Sequence, residues 1–141
     1  MQTIACRHGL QLPDFSKSTK VYLKQVIPDF GVVQNPFDTT ASIINNPGNL
    51  KKALEIVLND PNIDSIMLML TTVGDPIAST VAKDIIDLTR KSDKSIILSW
   101  LISETLASNA FALLRENQIP IFTSPEKAVL VLKKISEYYE K

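Results

Sequence analysis

Histidine and cysteine, the side chains most readily used as base and nucleophile, are scarce in this 141-residue chain. It holds one histidine, His8, and one cysteine, Cys6. A general base needs a partner within hydrogen-bond reach, and no acid neighbours His8 in sequence, so His8 reads as a terminal surface residue. Cys6 has the cationic neighbours that activate a thiol, Arg7 and His8, yet a lone cysteine on a short helix reads as inert. Zinc sites are excluded on ligand count, because there is no CxxC, no HExxH and no histidine pair. A GxSxG elbow and a Walker loop are absent too. Three polar groups remain. Asn35, Pro36 and Asp38 could bind a backbone or a ligand, although the same residue types also build turns. Thr71, Thr72, Gly74 and Asp75 precede a helix whose amino terminus could take an anion, but a capping carboxylate at Asp75 occupies such amides and repels anions. Ser99, Trp100 and Glu104 lie at a strand end, where Trp100 reads either as core or as a platform for an adenine ring.

The elements that position these groups follow from periodicity. Met1–His8 reads as a helical turn stopped by Gly9, and Leu10–Phe15 as a connector. Ser16–Val26 is expected to be a helix ended by Pro28. Phe30–Val33 is a weak strand candidate, and Gln34–Asn46 a long polar loop. Asn49 is expected to cap a helix with Leu50, Ala53, Leu54, Val57 and Leu58 at helical spacing. The apolar runs Ser65–Leu70, Ser95–Leu101 and Ile119–Phe122 read as strands covered on both faces. Between them, Asp75 and Pro76 are expected as cap and first residue of a helix with Ile77, Val81, Ile85 and Leu88 inside. Lys91–Lys94 is a charged turn. Ser103 is expected to cap a helix with Leu106, Ala110, Leu113 and Leu114 inside. Ser124-Pro125-Glu126 opens the last helix with a cap, a proline at its first position and an acid at the positive dipole end, with Ala128, Val129, Leu132 and Ile135 as its core stripe. Tyr138 and Tyr139 end it. Strand–helix alternation means a parallel sheet with covering helices, and ligands of open sheets of this kind bind at the carboxyl ends of the strands.

Four blocks carry a family resemblance. Gln34-Asn35-Pro36-Phe37-Asp38 resembles the NPxD signature of ADP-forming acyl-CoA synthetases. So do Leu58–Asp64 followed by an apolar strand, Leu98-Ser99-Trp100-Leu101, and Gln118–Val129 with its isoleucine-proline, strand and Ser-Pro-Glu-x-Ala-Val order. Gly9–Asp14 looks like the GLELPE segment of the same proteins, so the resemblance covers nearly the whole chain. It implies an α/β, flavodoxin-like, three-layer fold in one domain, residues 1–141. That domain corresponds to the second ligase unit of enzymes that resemble succinyl-CoA synthetase and work through a phosphohistidine. The parent implied uses CoA and ATP/ADP, and its partners are CoA-binding, phosphohistidine and ATP-grasp units. The family's unit opens with a strand, an NGGGPG-type loop that holds a phosphoryl group, and a helix. Nothing here matches that element, and Gly9, Gly31, Gly48 and Gly74 are scattered. The expectation is therefore a truncated domain lacking one family strand, which holds no cofactor in isolation and is inactive alone. The family resemblance also implies that the Asn35 loop lies on the active-site side of the sheet. Protein acetyltransferases with a ligase-like region share the unit.

Composition narrows the alternatives. Lys+Arg and Asp+Glu are both 15, so no basic excess exists to release counterions from a nucleic acid. No run approaches a membrane span, and no signal peptide is evident. One cysteine allows no intrachain disulfide, which with the other points favours the cytoplasm. A non-enzymatic, partner-binding or homo-oligomeric module is the second reading, since a sheet lacking a strand exposes an edge. A receiver-type signalling domain is disfavoured, because the strands end in Leu70, Leu101 and Phe122 rather than in acids that hold Mg²⁺.

Overall fold

The structure, a computed structural model, describes residues 2–27, 32–39, 43, 46 and 48–139. Among these, the elements run α1 (Gln2–Arg7), α2 (Lys17–Leu23), α3 (Asn49–Leu58), β1 (Ser65–Thr71), α4 (Ile77–Lys91), β2 (Ser95–Leu101), a 3₁₀ turn (Glu104–Leu106), α5 (Ser108–Glu116), β3 (Ile121–Phe122) and α6 (Pro125–Tyr139). The strands form a parallel sheet in the order β1-β2-β3. Ser65 pairs with Ser95 and Thr71 with Leu101, and Leu98 and Ser99 pair with Ile121 and Phe122.

Alternation along each strand divides the core in two. Ile66, Leu68 and Leu70 of β1 and Ile96, Leu98 and Trp100 of β2 join the main cluster, which also holds the inner faces of α3, α4 and α5. Ile97 and Ser99 are buried outside it. On that second face α6 packs on all three strands and α1 packs on α6, supplying the buried Ala128, Val129 and Ala5. Helices therefore cover both faces, as the alternation of apolar runs with helical stripes requires. β2, the central strand, is buried from Ile96 to Trp100, whereas β1 at the edge leaves Met69 exposed. Lys51 of α3 reaches Asp84 and Asp87 of α4 at 3.8 and 2.6 Å and ties the outer surfaces of those helices.

Several local expectations are corrected. Val32 and Val33 have no regular strand structure, and Phe30 lies outside the described residues. α2 ends at Leu23 and continues only as turn through Val26. Asn49 does not cap α3: Gly48 occupies the cap at φ 82°, a left-handed conformation that favours glycine. Pro76 stands at the cap of α4 and Ile77 opens the helix, so Ile77 sits at the rim, 46% exposed, rather than inside. The segment after Ser103 forms a separate 3₁₀ turn before α5, which rotates Leu106 outward to 61% exposure. β3 is shorter than its apolar run because Pro120 has no N–H to donate to a ladder. In α6 Ala128 and Val129 are buried, but Leu132 and Ile135 are half-buried. Gly9 at φ 76° and Pro125 at the first position of α6 stand where the sequence puts them.

Candidate functional site

The carboxyl ends of β1 and β2 are stitched to each other. The Thr72 amide donates to the Leu101 carbonyl at 3.4 Å, the Trp100 indole Nε1 to the Val73 carbonyl at 3.2 Å, and the Asp75 amide to the Leu106 carbonyl at 2.8 Å. This closeness demands a residue without a side chain at Gly74, where a Cβ would stand 2.9 Å from the Leu106 carbonyl oxygen. Thr72, a β-branched residue, is held at φ 56°, a strained conformation for its type. Its hydroxyl donates to the Thr71 carbonyl at 2.8 Å.

Asp75 closes two helix starts with one carboxylate. Its Oδ1 accepts from the Ser79 hydroxyl at 2.5 Å, within the first turn of α4, and its Oδ2 accepts from the Asn109 amide at 3.0 Å, at the start of α5. The Ser79 hydroxyl first, then the amides of Asn109, Ala110 and Ser79, hold its carboxyl below the usual carboxylate range. A helix start already answered by a carboxylate offers an incoming anion little. The sequence points to Asp75 as an anion blocker, but not to its second partner on α5.

Trp100 is fully buried and packs edge-on against Phe111, ring centres 5.7 Å apart, so it is core and presents no face to a ligand. Ser99 is also fully buried, on the α6 face, and its hydroxyl finds no partner among the described residues.

The Asn35 group lies elsewhere. Asn35 Nδ2 donates to the Pro13 carbonyl at 2.9 Å, and the next carbonyl, of Asp14, accepts from Asn62 Nδ2 at 3.1 Å. Asn62 precedes β1, so this loop sits at the amino side of the sheet, away from Thr72 and Gly74. The family resemblance puts it on the active-site side, and the structure places it opposite. The reason is local: Phe37 seats edge-on against the buried Phe15, ring centres 6.0 Å apart, which draws the loop to the Pro13–Ser16 segment. Pro36 follows a cis peptide bond, and Asp38 is exposed in the same loop.

That segment is anchored by Asp60, which the sequence shows only as a helix breaker. Asp60 is fully buried, and its carboxylate accepts from the Ser16 and Asn62 amides, both at 2.8 Å. Burial pushes its carboxyl up, but bonds from the Thr19 hydroxyl and the two amides outweigh that and leave it below the usual range. Lys94 Nζ donates to the Asp60 carbonyl at 2.6 Å.

One concavity opens at the carboxyl ends of β2 and β3. It has a volume of about 170 Å³, with Ile102, Ile119, Ile121 and Phe111 as apolar walls and Thr123 at its side. Across its mouth Arg115 Nη1 meets Glu104 Oε1 at 2.5 Å, and the guanidinium lies 6.0 Å from the centre of the Phe111 ring. Sequence reading places Glu104 near this end but gives no signal for Arg115, because an arginine on a helix surface looks like any solvated charge. Cys6 is exposed on α1, and His8 lies in the turn that follows. Among the described residues no three His, Cys, Asp or Glu side chains are grouped to hold a metal ion, and no helix is long and apolar enough to cross a membrane.

Comparison with known proteins bears on this arrangement. A family model described as the Ligase-CoA domain matches residues 2–139. The alpha subunit of an ADP-forming acetate–CoA ligase I from Pyrococcus furiosus is 28% identical over 134 residues, covering 92% of this chain and 28% of that protein. An ADP-forming 4-hydroxybutyrate–CoA ligase from Nitrosopumilus maritimus is 25% identical over 133 residues, covering 94% of this chain and 18% of that protein. Among solved structures, PH0766 from Pyrococcus horikoshii superposes with a TM-score of 0.78 at 23% identity, over 91% of this chain and 30% of that one. The apo form of the dinucleotide-forming acetyl-coenzyme A synthetase 1 from Ca. Korarchaeum cryptofilum superposes with a TM-score of 0.80 at 18% identity, over 98% and 30%. This chain spans less than a third of the length of each of these relatives.

Proposed function

From the premise that this chain belongs to the Ligase-CoA domain family, matched over residues 2–139, we propose that it acts as one domain of a cytoplasmic, succinyl-CoA synthetase-like acid:CoA ligase of the ADP-forming kind. Its work there is done together with CoA-binding, phosphohistidine and ATP-grasp units, which bring the acid, CoA and ATP/ADP. The chain alone is inactive. One observation carries this reading beyond the family match. At the carboxyl ends of β1 and β2, where an α/β domain binds its ligands, the loops are packed against each other, with Asp75 bonded to Ser79 in the first turn of α4 and to Asn109 at the start of α5. Among the described residues the loops around Thr72, Gly74 and Asp75 hold no histidine or cysteine to carry a phosphoryl or acyl transfer, which fits a domain whose neighbours supply that chemistry.

The test is an acid:CoA ligase assay with acetate, CoA and ATP. The chain is assayed alone and then with the Pyrococcus furiosus acetate–CoA ligase I subunits, the alpha subunit lacking its own matching region. Turnover only in the mixture is the expected outcome. Turnover by this chain unaided contradicts the proposal.

A further inference from the structure

The two faces of the sheet are not held equally. α4 and α6 are both 15 residues long, yet α4 buries six side chains, from Ala78 to Leu88, whereas α6 buries Ala128 and Val129. Leu132 and Ile135 of α6 are half-buried, and Leu130 is 43% exposed. α1, which packs on α6, adds the buried Ala5. The polar ties follow the same division. Lys51 binds α3 to α4, and Arg90 of α4 donates from Nη2 to Asn117 Oδ1, just past the end of α5, at 2.6 Å. The ion pairs of α6, Lys133 and Lys134 with Glu137, lie within the helix itself. The α6 face also holds the one orphan of the core among the described residues. The Ser99 hydroxyl is fully buried there without a partner. Such a group destabilises the closed arrangement, and its cost vanishes once water reaches it.

We propose that α1 and α6 form a lid that opens as one unit and uncovers Ile97 and Ser99, while β1, β2 and α3 to α5 stay folded. Apolar burial is the main force that holds a helix on a sheet, and α6 has far less of it than α4. Elements with few buried apolar groups open at free energies below that of global unfolding. The connections allow the movement. Thr123 and Ser124 alone join β3 to α6, and residues 10–16, without regular secondary structure, join α1 to α2. Solvation of Ser99 in the open state offsets part of the lost packing. A detached helix of this length is marginal in water, so its amides exchange with solvent whenever the lid opens.

Native-state hydrogen exchange of the full chain, read residue by residue by NMR, tests this. The amides of Val129 to Ile135 are expected to share one protection factor. It should lie at least about tenfold below that of Ile85 to Leu88 in α4, with α1 no better protected than α6. Ser99→Ala is expected to raise the shared factor about fivefold, the effect of relieving one orphaned hydroxyl that opening would otherwise hydrate. Protection in α6 equal to that in α4 overturns the proposal. So does protection that climbs steadily from Tyr139 toward Pro125, which is fraying of a helix end and not a unit. A Ser99→Ala variant whose α6 protection does not rise also overturns it, because opening then leaves Ser99 covered. None of these outcomes bears on the ligase assay.

Discussion

Removing the Asp60 carboxylate should be the most damaging polar substitution in the part of the fold that precedes β1. Its two oxygens accept the Ser16 and Asn62 amides at 2.8 Å and the Thr19 hydroxyl. They fasten the start of α2 and the entry to β1 at one fully buried point. A hydrogen bond to a charged group contributes about 1.5–3 kcal/mol net, so the two amide bonds and the Thr19 bond set an upper bound of roughly 9 kcal/mol. Ser16 is only half-buried and Asn62 is exposed, so both amides regain water, and about 3 kcal/mol is the expected loss for Asp60→Ala. In a domain of this size that lowers Tm by about 10 °C. Urea unfolding followed by circular dichroism measures it, with Asp60→Asn expected to fall between the two. The effect has a pH signature. The folded-state carboxyl lies below its ordinary value of 3.8, so its contribution is complete above that value and fades as pH drops through the folded one. The gap between wild type and Asp60→Ala should therefore narrow in acid. A loss under about 1 kcal/mol at pH 7, or a gap that widens in acid, refutes the reasoning.

Ser99→Ala removes a buried hydroxyl that has no partner and should raise stability by about 1 kcal/mol in chemical unfolding; a lower midpoint would mean that the hydroxyl is satisfied. Gly74→Ala forces a Cβ to within 2.9 Å of the Leu106 carbonyl and should cost about 1–3 kcal/mol, with no loss if the loop relaxes freely. Asp87, held down to about 2 by the Lys51 ammonium and then by Lys91, should titrate upward in a Lys51→Met variant followed by NMR. Its stabilising pairing is present above the ordinary carboxylate range and lost as pH falls through the folded value, and an unmoved titration would discount the Lys51 contact.

The alternation that defines the sheet was legible because a buried central strand and amphipathic helices leave opposite periodicities in sequence. Ser65–Leu70 and Ser95–Leu101 needed only their apolar runs. Two of the misplaced residues depend on a contact far away in sequence. Ile77 and Leu106 fit a helical stripe, but the approach of Gly74 to Leu106 turns both to the rim. Asn49 looks like a cap, but Gly48 takes the position because the chain enters α3 through a left-handed bend. The candidate residues divide on the same ground. Thr72 and Gly74 do share the carboxyl end of the sheet, as their place after β1 implies. Trp100 is held beneath that end by the Val73 carbonyl. Ser99 is one residue from Trp100 but points to the opposite face. Asn35 is carried to the far side by Phe37 packing on Phe15. Arg115 and the double role of Asp75 were invisible, because neither residue type nor local spacing records a partner on another element.

The central claim is that the loops at the carboxyl ends of β1 and β2 are closed upon each other, so that they hold no CoA or phosphate unaided. Isothermal titration of the purified chain with CoA, and separately with inorganic phosphate, tests that most directly. The account predicts no saturable heat with either up to millimolar concentration. A micromolar dissociation constant for either ligand, abolished by substitutions in the loops around Thr72 and Gly74, would contradict it.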